Sequence, residues 1–311
     1  MFSFFEYLPM QYRQATEREW TRFVPQRYKK ISENQHYLLN INQLIFRTAL
    51  ECIIMDWAGS AVDYGCFAPV AAFLKAFNEI GINITMEQAR RPMGMAKIDH
   101  IRELFKMDGV GEEFEKLYHR PWNEQDVTDM NAKFEEYLFA SLANYTDPIP
   151  GVIDTLNELR KQGIKIGSTT GYTQAMMDVV LPNAARKGYT TDKCVTPNGL
   201  PAGRPLPYMI YQNMIDLAIP STDCVLKYGD TIADIKEGIN AKVWTVGVIL
   251  GSNELGLTQK EIEQMSPATL TARKAEVRQR MLLAGAHYVV DSIEELPQII
   301  ELINHKLNTN H

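Results

Sequence analysis

From residue 50 onward, short runs of apolar and β-branched residues alternate with longer stretches in which apolar positions recur every three or four residues. The first pattern predicts strands buried on both faces, and the second predicts amphipathic helices. The strands fall at 50–55, 165–168, 193–196, 224–228, 243–249 and 287–290. Their alternation with helices predicts an α/β protein built on a Rossmann-like parallel sheet. Several of these runs end in polar or glycine-rich turns, and in such sheets ligands bind outside the carboxyl ends of the strands. Asp56, Thr170, Arg204 and Asp230 all fall near those ends.

The interval between the first two strands departs from the alternation. Residues 64–147 read as almost wholly helical, including 70–80, 98–107 and 126–142, which is too long for a single crossover helix. The expected organisation is a sheet core of residues 48–63 and 148–311 with an inserted helical cap of residues 64–147. Linkers are expected near 63–67 and 145–151, the second marked by Pro148, Pro150 and Gly151. Residues 1–47 stand apart, with ten aromatic residues, more Lys and Arg than Asp and Glu, and no clear period. They read as a weakly ordered extension or as translation from a start codon placed too far upstream; a docking arm for a partner chain is the alternative.

Composition narrows the classes of function. At 311 residues, with 45% hydrophobic and 23% charged content, the chain is in the soluble globular range and long enough to bury a sizeable core. A formal net charge of -6 argues against nucleic acid as a partner, since such binders carry concentrated basic surface. Cys52, Cys66, Cys194 and Cys224 lack the paired spacing of a zinc site or a disulfide framework, which fits a reducing cytoplasm. No apolar stretch approaches the roughly 18 to 20 residues of a membrane span, and the N-terminus lacks a secretory signal pattern. A small-molecule substrate met in the cytoplasm is the resulting expectation.

Candidate chemistry starts at Asp56, in the run Asp-Trp-Ala-Gly-Ser that follows the first strand. A carboxylate on such a turn is either a turn cap or a nucleophile toward phosphorus. Two residues on, where a second carboxylate would serve as acid/base partner, stands Ala58. Expelling an alkoxide from a phosphate ester usually needs a proton donor, so a leaving group that needs no such proton is implied. Asp230 and Asp234 lie four apart at the start of a helix, where they either cap it or join Asp56 in the hard-oxygen site that magnesium prefers. Asp230 is the stronger metal candidate, with Asp234 either touching the ion or standing behind it. Thr170 and Gly171, in Ser-Thr-Thr-Gly-Tyr, offer a hydroxyl and turn N–H groups to phosphoryl oxygens. Arg204, in a Pro- and Gly-rich loop, is either a surface charge or a partner for charge developing in phosphoryl transfer. Lys97 and His100 lie three apart on one helix face beside Met93, Met95 and Ile98. Lys97 is either solvated or an amine whose pKa falls by desolvation, in which case His100 could relay protons; Cys66 reads as a packed thiol.

In combination these motifs resemble the haloacid dehalogenase-like superfamily and, more closely, the phosphonoacetaldehyde hydrolase (phosphonatase) family, from about Glu51 to the C-terminal region. They are Asp-Trp-Ala-Gly, Pro-Met-Gly with the following Lys-Ile-Asp-His, Ser-Thr-Thr-Gly-Tyr, Pro-Ala-Gly-Arg-Pro, and Gly-Asp-Thr with the later Asp. The resemblance implies Asp56 as nucleophile and Lys97 as the Schiff-base lysine. It implies Mg2+ bound by Asp56, the Ala58 carbonyl and Asp230, with Asp234 behind. It further implies that Thr170 binds the phosphoryl group, that Arg204 stabilises charge, and that Met93, His100, Cys66 and Tyr172 surround the substrate. The expected reaction is cleavage of phosphonoacetaldehyde to acetaldehyde and phosphate by a homodimer joined through the cap. The family writes Asp-Trp-Ala-Gly-Thr-Thr where this chain has Ser60 and Ala61. A capped phosphatase or phosphomutase, and a binding module that has lost catalysis, are the rival readings.

Overall fold

Apolar β-branched runs form six parallel strands in a computed structural model that describes residues 49–309. The expectations for residues 1–47 lie outside the described residues. Strand β1 (Cys52–Met55) is buried along its whole length and leads into a helical segment. That segment holds α1 (Phe67–Glu79), α2 (Met86–Arg90), α3 (Lys97–Lys106), α4 (Val110–Tyr118), α5 (Glu124–Ser141) and a 3-10 turn, Leu142–Tyr145. Regular α/β alternation follows: α6 (Val152–Lys161), β2 (Lys165–Thr169), α7 (Gln174–Arg186), β3 (Lys193–Val195), α8 (Tyr208–Asp216), β4 (Val225–Gly229) and α9 (Ile232–Ala241). The chain ends with β5 (Trp244–Val248), α10 (Gln259–Gln264), α11 (Pro267–Leu283), β6 (Tyr288–Val290) and α12 (Leu296–Thr309). All six expected strands are present, each trimmed or shifted by at most two residues.

The strand order is β3-β2-β1-β4-β5-β6, so the chain's direction of travel across the sheet reverses at β1. Met55 lies in register with Ser168 on one side and Tyr228 on the other, so the residues after β1, β2 and β4 emerge together at one edge. In an open α/β sheet that switch point is where a crevice forms. The fold therefore delivers Asp56, Thr170 and Asp230 to one place before any side chain is considered.

The helical segment has its own aromatic packing. Phe73 stacks on Phe134 with ring centroids 4.1 Å apart, and Phe105 meets Phe77 at 5.2 Å and Phe114 at 5.5 Å. Apolar side chains run without a break from here to Ile53, Met55 and Ile166 of the sheet. Local signals set the helix ends: Asn123 accepts N–H bonds from Gln125 and Asp126 at the start of α5, and Thr231 with Asp234 forms a capping box on α9. The chain passes between helical segment and sheet along two adjoining stretches, where Asp63 N donates to Asp147 O at 3.3 Å and Ile149 N to Ala61 O at 2.9 Å. Asp63 also accepts from the Phe67 and Ala68 amides, so its carboxylate caps α1.

Candidate active site

Asp56 leaves β1 on a tight turn in which the amides of Ser60, Ala61 and Val62 all donate to the Trp57 carbonyl. Gly59 has φ +89, and a Cβ there would lie 2.2 Å from Asp230 Oδ2, so only glycine lets this turn pass so close to the second carboxylate. Asp56, Asp230 and Asp234 each present an oxygen within 4.8 Å of the others, and all three are buried. Ser60 Oγ donates to Asp230 Oδ1 at 3.1 Å, so of the two positions that depart from the family pattern this one keeps a hydroxyl and uses it, while Ala61 has none.

Arg204 is 3% exposed and is gripped from every side. Its guanidinium reaches Asp56 at 2.7 Å, Asp234 at 3.0 Å, Glu237 at 2.9 Å and Thr169 Oγ1 at 2.7 Å. Lys227, fully buried in β4, meets Asp234 at 2.8 Å, Thr169 Oγ1 at 2.9 Å and Glu237 at 3.4 Å. Asp234 is thus held by Arg204, Lys227 and Thr231. Burial alone would raise the Asp234 carboxyl, but Arg204 and Lys227 outweigh it and hold the group below its ordinary value. Asp230 goes the other way: burial, then the facing Asp56 and Asp234, push it well above the carboxylate range.

This imbalance fits a divalent cation. Four buried carboxylates, Asp56, Asp230, Asp234 and Glu237, face two buried cations, Arg204 and Lys227. Two negative charges are left over among these six groups if all are ionised, and Asp230, which neither cation touches, carries most of the unrelieved part. Oxygen ligands with excess negative charge are what Mg2+ takes.

Above this acidic floor lies a cavity of about 20 Å³ whose wall includes Asp56, Ala58, Cys66, Met93, Lys97 and Thr170. Gly171, Tyr172 and Arg204 complete the set of expected residues that line it. The helical segment comes close because glycines permit it. A Cβ on Gly94, whose φ is +90, would sit 2.4 Å from Thr231 Oγ1, and one on Gly171 would sit 2.5 Å from the Met95 carbonyl. The loop between α2 and α3 therefore presses directly onto the carboxyl edge of the sheet.

Lys97 opens α3 and is 5% exposed. Its Nζ lies 3.9 Å from Met93 Sδ, 5.0 Å from the centre of the Tyr172 ring and 5.9 Å from that of Phe73. Burial lowers its pKa to about 8, against the opposing pull of the Asp56 carboxylate. Its place at a helix N-terminus, where N–H groups point outward, disfavours the ammonium further. Burial also raises Tyr172 and Cys66 well above their ordinary values, so both remain protonated and Cys66 is the packed thiol expected of it. Thr170 Oγ accepts from the Tyr172 amide at 3.1 Å, fixing the turn that carries it.

His100 is not on this wall. It stacks on Phe73 at 4.0 Å, its Nε2 donates to the Ala89 carbonyl at 2.9 Å, and burial followed by the nearby Lys97 drives its pKa well below the ordinary histidine value. A neutral imidazole with one nitrogen engaged this way is poorly set up for the proton relay expected from spacing alone. Sequence reasoning also passed over Thr169, Lys227 and Glu237. The available signal was Lys227 itself, a charge inside an apolar strand that must find partners when buried, and Glu237 three residues after Asp234 on the same helix face.

Comparison with known proteins gives the family. The family model for haloacid dehalogenase-like hydrolases matches residues 50–242. The chain is 64% identical over 259 residues to a phosphonoacetaldehyde hydrolase of Bacteroides fragilis, a match covering 83% of this chain and 98% of that protein. It is 61% identical over 255 residues to one of Parabacteroides distasonis, covering 82% and 97%. Among solved structures it resembles a phosphonoacetaldehyde hydrolase-like protein from Oleispira antarctica, with a TM-score of 0.82, 34% identity, and 85% and 96% of the two chains covered. The chain therefore belongs to the haloacid dehalogenase-like hydrolases and, within them, to the phosphonoacetaldehyde hydrolase family.

Proposed function

We propose that this chain hydrolyses the carbon–phosphorus bond of phosphonoacetaldehyde, giving acetaldehyde and phosphate. The observation that carries the reading is a buried lysine with a lowered pKa sharing one cavity wall with Asp56 and Arg204, in a chain that has Ala58 where an acid would stand. The names of the relatives support the same substrate.

Lys97, as the free amine, attacks the aldehyde carbon; the carbinolamine takes up one proton from solvent and loses water to form a protonated imine, and that proton is returned when the imine is finally hydrolysed. Asp56 attacks phosphorus; the electron pair of the breaking carbon–phosphorus bond moves into the iminium and leaves an enamine. No oxygen leaving group has to be protonated, so Ala58 is consistent with the chemistry. Water hydrolyses the aspartyl phosphate, the enamine takes up a proton, and hydrolysis of the imine frees acetaldehyde and restores Lys97. Thr170 and the Gly171 amide hold phosphoryl oxygens, and Arg204 balances their charge. Met93, Cys66 and Tyr172 keep the amine dry. His100, being neutral, packs behind Lys97 without adding a second positive charge.

A phosphonate dianion approaching Asp56 and Asp230 meets repulsion of roughly 4 kcal/mol per like-charge pair at about 4 Å and an effective dielectric near 20. Mg2+ held by Asp56, Asp230 and the Ala58 carbonyl, with Asp234 behind, would offset that charge. The cavity has room for about one water, far less than the substrate, so we assign residues 64–147 as a cap that swings open about the two linkers and closes for reaction. The setting we propose is the reducing cytoplasm, in keeping with the thiols of Cys52, Cys66 and Cys194. In the test, purified protein is assayed for phosphate release from phosphonoacetaldehyde and from a set of sugar phosphates and nucleotides, with and without magnesium. Magnesium-dependent release from phosphonoacetaldehyde, absent in Lys97→Ala, is expected. Turnover of esters alone would point to a capped phosphatase instead.

A further inference from the structure

The loop after β5 makes contacts for which the reaction above has no use. Its Gly251 carbonyl accepts from Gly65 N at 2.7 Å, tying the first linker to the sheet side. Arg90, the last residue of α2, donates from Nη1 to the Gly65 carbonyl at 2.7 Å and to Asn253 Oδ1 at 3.0 Å. Asn253 Nδ2 returns a bond to the Arg90 carbonyl at 3.1 Å. The backbone amide of that same Asn253, a residue 3% exposed, donates to Asp230 Oδ2 at 2.7 Å. The guanidinium lies 4.8 Å over the Phe67 ring, and a Cβ on Gly256 would lie 3.0 Å from Arg90 Nε, so the loop is shaped around it.

We propose that Arg90 and Asn253 are positioning residues that form a latch between the helical segment and the carboxylate of Asp230, so that seating the helical segment fixes the direction in which Asp230 faces a divalent cation. The inference rests on the reading of Asp230 as a metal ligand and of residues 64–147 as a moving cap. Both polar ends of the Asn253 side chain are engaged by Arg90, which fixes the residue whose amide grips Asp230. One guanidinium nitrogen, Nη1, serves Gly65 and Asn253 at once, so loss of this single group releases both. Swinging the segment away breaks these bonds together, leaving Asn253 and its amide free to shift. Metal capture and closure are thereby linked through one side chain.

The test is manganese binding to the full chain without substrate, followed by electron paramagnetic resonance, for wild type, Arg90→Met, Asn253→Ala and the double variant. Asn253→Ala keeps the amide that contacts Asp230 and removes only its link to Arg90. Each single variant is expected to weaken manganese binding by about 10-fold. The double variant should bind no more weakly than the weaker single, because both changes break one connection. On phosphonoacetaldehyde the loss should appear in kcat more than in KM. Arg102→Ala, which removes two ion pairs within the helical segment, to Asp99 and Glu124, should bind manganese as wild type does and serves as the control. Unchanged affinity in both single variants, or losses that simply add, overturns the latch while leaving the metal site standing. A wild type that binds no manganese at all overturns the reading of Asp230 and the latch with it.

Discussion

Lys97 illustrates how one residue's surroundings make a reagent. At a pKa of about 8, about half of the side chains are free amine at pH 8, against about three in a thousand for an ordinary lysine at 10.5. The same burial penalises the fold. With the folded value depressed below the unfolded one, the penalty is fully present below pH 8 and fades as pH rises from 8 to 10.5. At about 1.36 kcal/mol per unit it amounts to roughly 3 kcal/mol. Lys97→Met should therefore abolish turnover yet raise urea-unfolding stability at pH 7 by up to about 3 kcal/mol, and the gain should vanish near pH 10.5. A variant no more stable than wild type at pH 7 would mean that the amine is not desolvated. In wild type, kcat/KM should rise with pH through about 8 as the free amine forms. Part of this was legible in the sequence: of the apolar neighbours expected, Met93 does touch the amine, whereas Ile98 faces solvent and Tyr172 and Phe73 come from elsewhere in the chain. The neutrality of His100 was not, because spacing puts it near Lys97 but only the fold shows Phe73 and the Ala89 carbonyl around it.

Among the elements, the sheet was the most legible because each buried parallel strand is a near-continuous apolar run, and adjacency at the switch point follows from topology. The loop between α2 and α3 was legible only as a motif. Its physical sense lies in contacts with distant residues: Gly94 against Thr231, and Met95 against Gly171. Gly171→Ala would drive a methyl group into the Met95 carbonyl and push that loop, with Lys97 at its end, away from Asp56. The expected result is a fall in kcat/KM of about 100-fold, with only about 1–3 kcal/mol lost in unfolding stability. Wild-type kinetics for this variant would show that the loop's seating does not set the distance between amine and nucleophile. Arg90 and Asn253 escaped sequence reasoning for the same reason, since nothing in a chain marks two polar residues 163 positions apart as partners.

At the scale of the molecule, the helical segment leaves Met86, Ile98, Leu117, Tyr118 and Phe139 exposed, a set of apolar side chains that a second copy could cover. A homodimer joined through this segment is the expected state, and light scattering of the purified chain should give twice the 35.4 kDa monomer mass. Leu117→Glu and Phe139→Glu together should return it to the monomer mass; a wild type that already scatters as a monomer would remove the dimer from the account. No helix among the described residues is long and apolar enough to cross a membrane.

The whole arrangement, acids on the sheet and an amine on the helical segment, has chemical purpose only if that amine captures the substrate's carbonyl. Borohydride reduction during turnover of phosphonoacetaldehyde, followed by peptide mass spectrometry, reads this directly. A reduced two-carbon adduct confined to Lys97, appearing as phosphate release stops, is the predicted result. Undiminished phosphate release with no adduct, or an adduct on another lysine, would contradict it.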